Sequence, residues 1–144
     1  MSSIRRRVSN RISSSASDES ETKDGQKVEV LANIENINSL DLLNEYKADG
    51  IGLFRSEYLF FDHVIRDFSE ESQYKIYRKL FKFLGNKPVF FRVFDVGGDK
   101  QFFEDGSEEN NPALGCRSIR FLLRHRDLFR IQLRAVMRAA VGTN

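Results

Sequence analysis

The sequence predicts an α/β fold built on a parallel sheet, and three observations carry that reading. Apolar strands and amphipathic helices alternate as strand–helix, strand–helix, strand–helix. The connections between strands are too long for hairpins, so each must cross over through a helix. The stretch Val89–Phe94 is apolar on both faces apart from one arginine, as strands of a helix-covered parallel sheet are. A strand–helix pair takes roughly 30 residues where eight pairs close a barrel of about 250, so the ordered part corresponds to about three of eight units.

The chain has 144 residues, 40% hydrophobic and 31% charged, which describes a globular protein with a real core. No apolar run approaches the roughly 20 residues of a membrane span. With 13 Phe and no Trp, aromatic burial falls mainly to phenylalanine. The single Cys116 cannot form an internal disulfide.

Residues 1–25 are rich in Ser and charge and are expected to be a disordered or linker tail; residues 26–144 are expected to form one partial barrel domain. An arginine-rich start with no acid before Asp18 superficially suits an organelle transit peptide. It also suits the cut end of a preceding domain, the preferred reading because the other end looks truncated too.

Asp24-Gly25 signals a turn, and Val28–Ile34 reads as the first strand. Asn38-Ser39 offers an N-cap to a short helix with apolar Leu40, Leu42, Leu43 and Tyr46. The second strand is Ile51–Arg55, with Ile51, Leu53 and Arg55 on one face by alternation. Ser69, followed by Glu70 and Glu71, opens a helix with a stripe of Tyr74, Tyr77, Leu80, Phe81 and Leu84. Gly85 stops it, and Pro88 leads into the third strand. Gln101–Asn111 reads as a loop. The following helical region is broken at Arg124-His125-Arg126-Asp127, with Asp127 as cap of its second half.

Two strands end on arginine, Arg55 and Arg92, each at the rim where α/β folds bind ligands. Neighbouring parallel strands would aim both guanidinium groups at one anion, a phosphate above all, through charge-assisted hydrogen bonds. Arg117, in NPALGCRSIR, is a candidate third charge. The plain alternative is a set of internal arginine–carboxylate pairs. Glu57, Asp62, Asp95 and Asp99 supply the acids; metal ligation by them is the weaker reading and partnership with the arginines the stronger. His63 and His125 have no triad-like setting, and Cys116 reads as a packing residue.

The net charge of +2 hides an asymmetry: Arg5, Arg6, Arg7 and Arg11 and a segment 117–144 with seven Arg flank an acidic middle. Arg126, Arg130, Arg134 and Arg138 make a basic stripe, opposite an apolar side of Phe129, Leu133, Val136, Met137 and Ala140. Packing on the sheet, with a solvated basic face or pairing to the acidic middle, is preferred. Nucleic-acid contact is disfavoured, because neither aromatic interleaving nor a groove-reading motif accompanies the stripe.

The ordered combination GIGLFRSEYLFFDH, FRVFDVGGDK and NPALGCRSIR resembles the enzyme I family of the bacterial sugar phosphotransferase system, whose segments read GxGLxRTEFLFMD, RTxDIGGDK and NPxLGxRxIR. VEVLANIENI and FRIQLRAVMRAA resemble its flanking segments. The likeness runs from about Thr22 to Ala140 and favours enzyme I over the pyruvate phosphate dikinases and phosphoenolpyruvate synthases. It implies an incomplete (β/α)8 TIM barrel that binds phosphoenolpyruvate. By motif, Arg55, Arg92 and Arg117 would hold its phosphate.

The same resemblance implies a cytoplasmic enzyme, homodimeric at full length. It would use Mg²⁺ and pass the phosphoryl group to a protein histidine and on to HPr for sugar uptake. The metal ligands and the catalytic cysteine and histidine belong to segments outside this chain, so the chain alone is expected to be inactive. Ser56 and Val93 each stand where the family has threonine, and Cys116 where an aromatic is usual. A nitrogen-regulatory relative of enzyme I, or a non-catalytic truncated-barrel interaction module, are the alternative readings.

Overall fold

The computed structural model describes residues 20–61, 67–96 and 115–143. Its centre is a three-stranded sheet of β1 (Leu31–Ile34), β2 (Gly50–Arg55) and β3 (Val89–Arg92), ordered β1-β2-β3 and parallel throughout. A 3₁₀ turn, Ile37–Ser39, and α1 (Asp41–Glu45) connect the first two strands. Between β2 and β3 come α2 (Tyr58–Phe61) and α3 (Glu70–Leu84); α4 (Ile119–Arg124) and α5 (Arg126–Ala140) follow β3. This open α/β sheet is consistent with part of a (β/α)8 barrel. Among the described residues no helix is long and apolar enough to cross a membrane.

α3 and α5 pack on each other and run parallel: Arg134, Arg138 and the Ala139 carbonyl meet Glu70, Glu71 and Arg78 in ascending order. Successive crossover helices on one side of a parallel sheet run this way. α3 follows its sequence closely. Ser69 caps it, accepting from the Ser72 amide at 3.2 Å, and Tyr77, Leu80, Phe81 and Leu84 are buried. Beneath it, Phe91 lies against Phe54 at 5.3 Å and edge-on to Tyr77 at 4.8 Å between ring centres. Phe60 stacks on Phe68 at 4.1 Å and meets Phe94 edge-on at 4.9 Å.

Several local expectations are corrected. β1 starts at Leu31 rather than Val28; Val30 is instead tied to the following turn, its amide donating to the Asp49 carboxylate and its carbonyl accepting from the Asp49 amide. Asn36, not Asn38 or Ser39, caps the first helical turn, and Leu42 and Tyr46 are exposed because α1 has only five residues to turn inward. Strict alternation in β2 fails: Ile51 and Phe54 are both wholly buried because the register shifts between them. Gly52 lies at that shift, where a Cβ would come within 2.9 Å of the Leu31 Cβ. β3 ends at Arg92, since the Phe94 amide is taken by a side chain of α5. α5 begins at Arg126, so Asp127 lies inside its first turn and pairs with Arg130 instead of capping.

The buried face of α5 matches the expected apolar side only in part: Phe129, Val136 and Ala140 pack against the core as expected. Gln132, Ala135 and Ala139 face the core, whereas Leu133 and Met137 are exposed. The alanines let the two helices approach, and this rotation brings Arg134 and Arg138 onto Glu70 and Glu71. Arg138 also covers the Tyr74 ring at 4.4 Å. The basic stripe therefore pairs in part with the acidic middle. The Asp24-Gly25 turn forms as expected, with Gly25 at φ 82°.

A charge-balanced arginine rim

Arg55 and Arg92 are the last residues of β2 and β3 and are direct partners across the ladder. Because Phe54 and Phe91, one residue earlier, point into the helices, the two arginines point to the other face of the sheet. Phe90, two residues before Arg92, shares that face by alternation and is 62% exposed. The expectation that both guanidinium groups occupy one rim is met.

Carboxylates interleave with the arginines. Glu57 is fully buried, and its Oε1 accepts from Arg55 Nε at 3.3 Å and from Arg92 Nη2. Glu35, just beyond β1, accepts from Arg55 Nη1. Asp95 accepts two hydrogen bonds from Arg117, at 3.2 and 3.1 Å, and lies 3.7 Å from Arg92 Nη1. The chain of contacts Glu35–Arg55–Glu57–Arg92–Asp95–Arg117 sets three guanidinium groups against three carboxylates. Glu57 and Asp95 thus act as partners of the arginines, the stronger of the two readings of the acids. Asp62, His63, Asp99 and the turn Gly97–Lys100 lie outside the described residues.

Two buried atoms at the centre, Glu57 Oε2 and Arg92 Nε, have no hydrogen-bond partner among the described residues. Partial burial disfavours the charged form of Arg55, but the hydrogen bond and charge of Glu35 outweigh it and raise its pKa, so it stays a cation. Tyr58 stacks on Arg55, its ring centre 4.4 Å from the guanidinium carbon.

Below the rim lies a buried polar chain that the sequence reading did not single out. Ser56 donates to the Arg92 carbonyl at 2.7 Å and accepts from Gln132 Nε2 at 2.9 Å. Gln132 Oε1 accepts from the Phe94 amide at 3.0 Å. Tyr77 donates to Gln73 at 3.0 Å, and burial pushes its phenol pKa up. One signal was available: Gln132 precedes Ala135 and Ala139 at the spacing of one helix face. Cys116 packs against the core, as expected, and His125 lies at the α4–α5 break with its ring 4.2 Å from that of Phe121.

Two neighbouring strands of a parallel α/β sheet thus end in paired arginines. The family described as "PEP-utilising enzyme, PEP-binding domain" matches residues 9–144. The chain belongs to that family. It is 43% identical over 122 residues to the multiphosphoryl transfer protein of Rhodobacter capsulatus, covering 84% of this chain and 15% of that protein. It is 39% identical over 123 residues to the phosphoenolpyruvate-protein phosphotransferase of Mycoplasma pneumoniae, covering 85% and 21%. With the phosphoenolpyruvate-protein phosphotransferase of Staphylococcus carnosus it shares 44% over 124 residues, covering 85% and 22%. The chain therefore spans only 15% to 22% of the length of these relatives.

Proposed function

We propose that this chain carries the phosphate-binding part of a phosphoenolpyruvate-protein phosphotransferase, with Arg55, Arg92 and Arg117 as the groups that hold the phosphate of phosphoenolpyruvate. The observation that carries this reading is the pairing of Arg55 with Arg92 at adjacent strand ends, with Arg117 joined through Asp95. The names of the relatives support it. Phosphoryl transfer asks a protein mainly for positioning and for charge aimed at the equatorial oxygens. Guanidinium forks on a strand rim supply both, because a strand end is stiffer than a loop. An incoming phosphate exchanges with carboxylates already bound to the arginines, so part of its attraction is spent on displacing Glu35, Glu57 and Asp95.

In the whole protein, the phosphoryl group passes from phosphoenolpyruvate to a histidine of another domain and then to HPr, in a cytoplasmic homodimer that serves sugar uptake. Magnesium belongs to this reading of the whole protein. Among the described residues no group of three His, Cys, Asp or Glu side chains is placed to hold it. Glu57 and Asp95 are engaged with arginine. The chain by itself binds without catalysing.

The test is a titration of the ¹⁵N-labelled chain with phosphoenolpyruvate, following the Nε–Hε resonances of the three arginines. Saturable shifts at Arg55, Arg92 and Arg117 are expected. Arg92→Lys, which loses the fork, should weaken binding by about tenfold or more. No saturable binding, or a lysine variant that binds as the wild type does, overturns the reading.

A further inference from the structure

We propose that Gln132 is a positioning residue for the arginine rim. From α5 it holds the ends of β2 and β3 together so that Arg55 and Arg92 address one phosphoryl group. The inference rests on the phosphate-binding reading above.

Gln132 is wholly buried, and both halves of its amide are engaged at the rim. Its oxygen takes the amide of Phe94, two residues beyond Arg92, at 3.0 Å. Its nitrogen reaches the hydroxyl of Ser56, the residue after Arg55, at 2.9 Å. That hydroxyl donates in turn to the carbonyl of Arg92 at 2.7 Å. One side chain thus joins the Ser56 hydroxyl, next to Arg55, to the backbone two residues beyond Arg92, at the point where β3 has left the ladder.

A buried primary amide costs desolvation that an apolar side chain of the same size would avoid. Its neighbours on this face of α5 are Ala135 and Ala139, so an apolar residue would fit the surroundings. The amide earns its place through the strand ends it joins. A misplacement of about 1 Å at a reacting group is enough to cost a site about a hundredfold. The carbonyl anchored by Ser56 belongs to Arg92 itself, so movement there is transmitted directly to the guanidinium.

The test compares wild type with Gln132→Met, Ser56→Ala and Ser56→Thr in the full ¹⁵N-labelled chain. Gln132→Met keeps the length and removes both hydrogen bonds. Ser56→Ala cuts the link to the Arg92 carbonyl and leaves the Phe94 contact intact, while Ser56→Thr retains the hydroxyl. Gln132→Met and Ser56→Ala should each shift or broaden the Arg55 and Arg92 Nε–Hε resonances. Each should weaken phosphoenolpyruvate binding by about tenfold, as loss of a well-made buried hydrogen bond does. Ser56→Thr should restore both readouts.

If Gln132 only supported the fold, Gln132→Met would lower the unfolding midpoint and leave the arginine resonances and the affinity at wild-type values. That result overturns the proposal, as does Ser56→Ala matching wild type in both readouts. If Gln132→Met does not fold, Ser56→Ala against Ser56→Thr decides. If the wild type shows no saturation by phosphoenolpyruvate, the phosphate reading fails, and the arginine resonances alone decide the positioning of the rim.

Discussion

Glu57→Gln should separate the stability of the rim from its affinity, moving the two in opposite directions. Glu57 is fully buried, and one of its oxygens serves both Arg55 and Arg92. Removing one partner of a fully buried ion pair costs about 3–5 kcal/mol. Here the guanidinium groups keep 21% and 28% of their side-chain exposure, and water takes up part of the loss. The expected cost is therefore about 1–3 kcal/mol. Glutamine keeps the acceptor oxygen and the shape, so the arginines stay in place. The rim then holds three guanidinium groups against two carboxylates instead of three.

One uncompensated charge about 4 Å from an anion is worth up to about 4 kcal/mol near a protein surface before salt screening. A tenfold gain in phosphate affinity needs about 1.4 kcal/mol. Urea denaturation measures the first effect, and calorimetric titration with inorganic phosphate at low and high salt measures the second. Lower stability, at least tenfold tighter binding and a steeper salt dependence are expected. A variant as stable as wild type, or one that binds phosphate more weakly, refutes the reasoning, because Glu57 would not then be the counter-ion that a phosphate displaces.

Gly50→Ala should cost about 1–3 kcal/mol, since the new Cβ would lie 2.5 Å from the Pro88 carbonyl oxygen, which already accepts the Ile51 amide at 2.9 Å; a wild-type melting temperature would contradict this. Glu70 is held below its ordinary 4.5, first by the Arg138 hydrogen bond and then by Arg134, against desolvation. Its contribution is present above 4.5 and lost as pH falls through the lowered value, so the acid limb of the stability curve should be steeper in wild type than in Glu70→Gln. Incubation with labelled phosphoenolpyruvate and Mg²⁺ should leave the chain unlabelled; label on His63 or His125 would refute its inactivity. Phe90→Ser should cost less than about 1 kcal/mol, since 62% of the residue is already in water; a cost of about 3 kcal/mol in denaturation, the value for a core phenylalanine, would show that face to be covered in solution.

The parts of the fold that could be read in advance are those set by neighbours in sequence. α3 was legible because Ser69, the two glutamates and the 3–4 stripe act within one helix. The arginine rim was legible because two successive apolar strands each end on an arginine, and the structure pairs them as neighbours. The β2 register shift was not, because it depends on how closely Gly52 lets β1 approach. The face of α5 was legible only in part: Phe129, Val136 and Ala140 pack as their apolarity suggests, but Leu133 and Met137 are exposed while Ala135 and Ala139 permit the closer approach to α3. Gln132 was missed for the same reason: a polar residue in a helix reads as solvated until its partners, 76 and 38 residues away in sequence, are known.

Charge balance joins the scaffold to the site. Three guanidinium groups at one rim would repel one another in the free protein, and Glu35, Glu57 and Asp95 remove that repulsion. On the phosphate-binding reading, the same carboxylates would set the selectivity of the rim. A ligand with a single carboxylate offers the arginines nothing they do not already have, so its exchange is near neutral and entropy opposes it. A phosphoryl group offers more charge and three acceptor oxygens on one centre, which two forks on adjacent strands can share. Glu35 is the most exposed of the three acids and so the easiest to displace, whereas the Glu57 side chain is fully buried and the hardest. On the phosphate-binding reading, exchange would begin at the Arg55–Glu35 contact and spread to Arg92, whose carbonyl is held by Ser56 while its guanidinium changes partner.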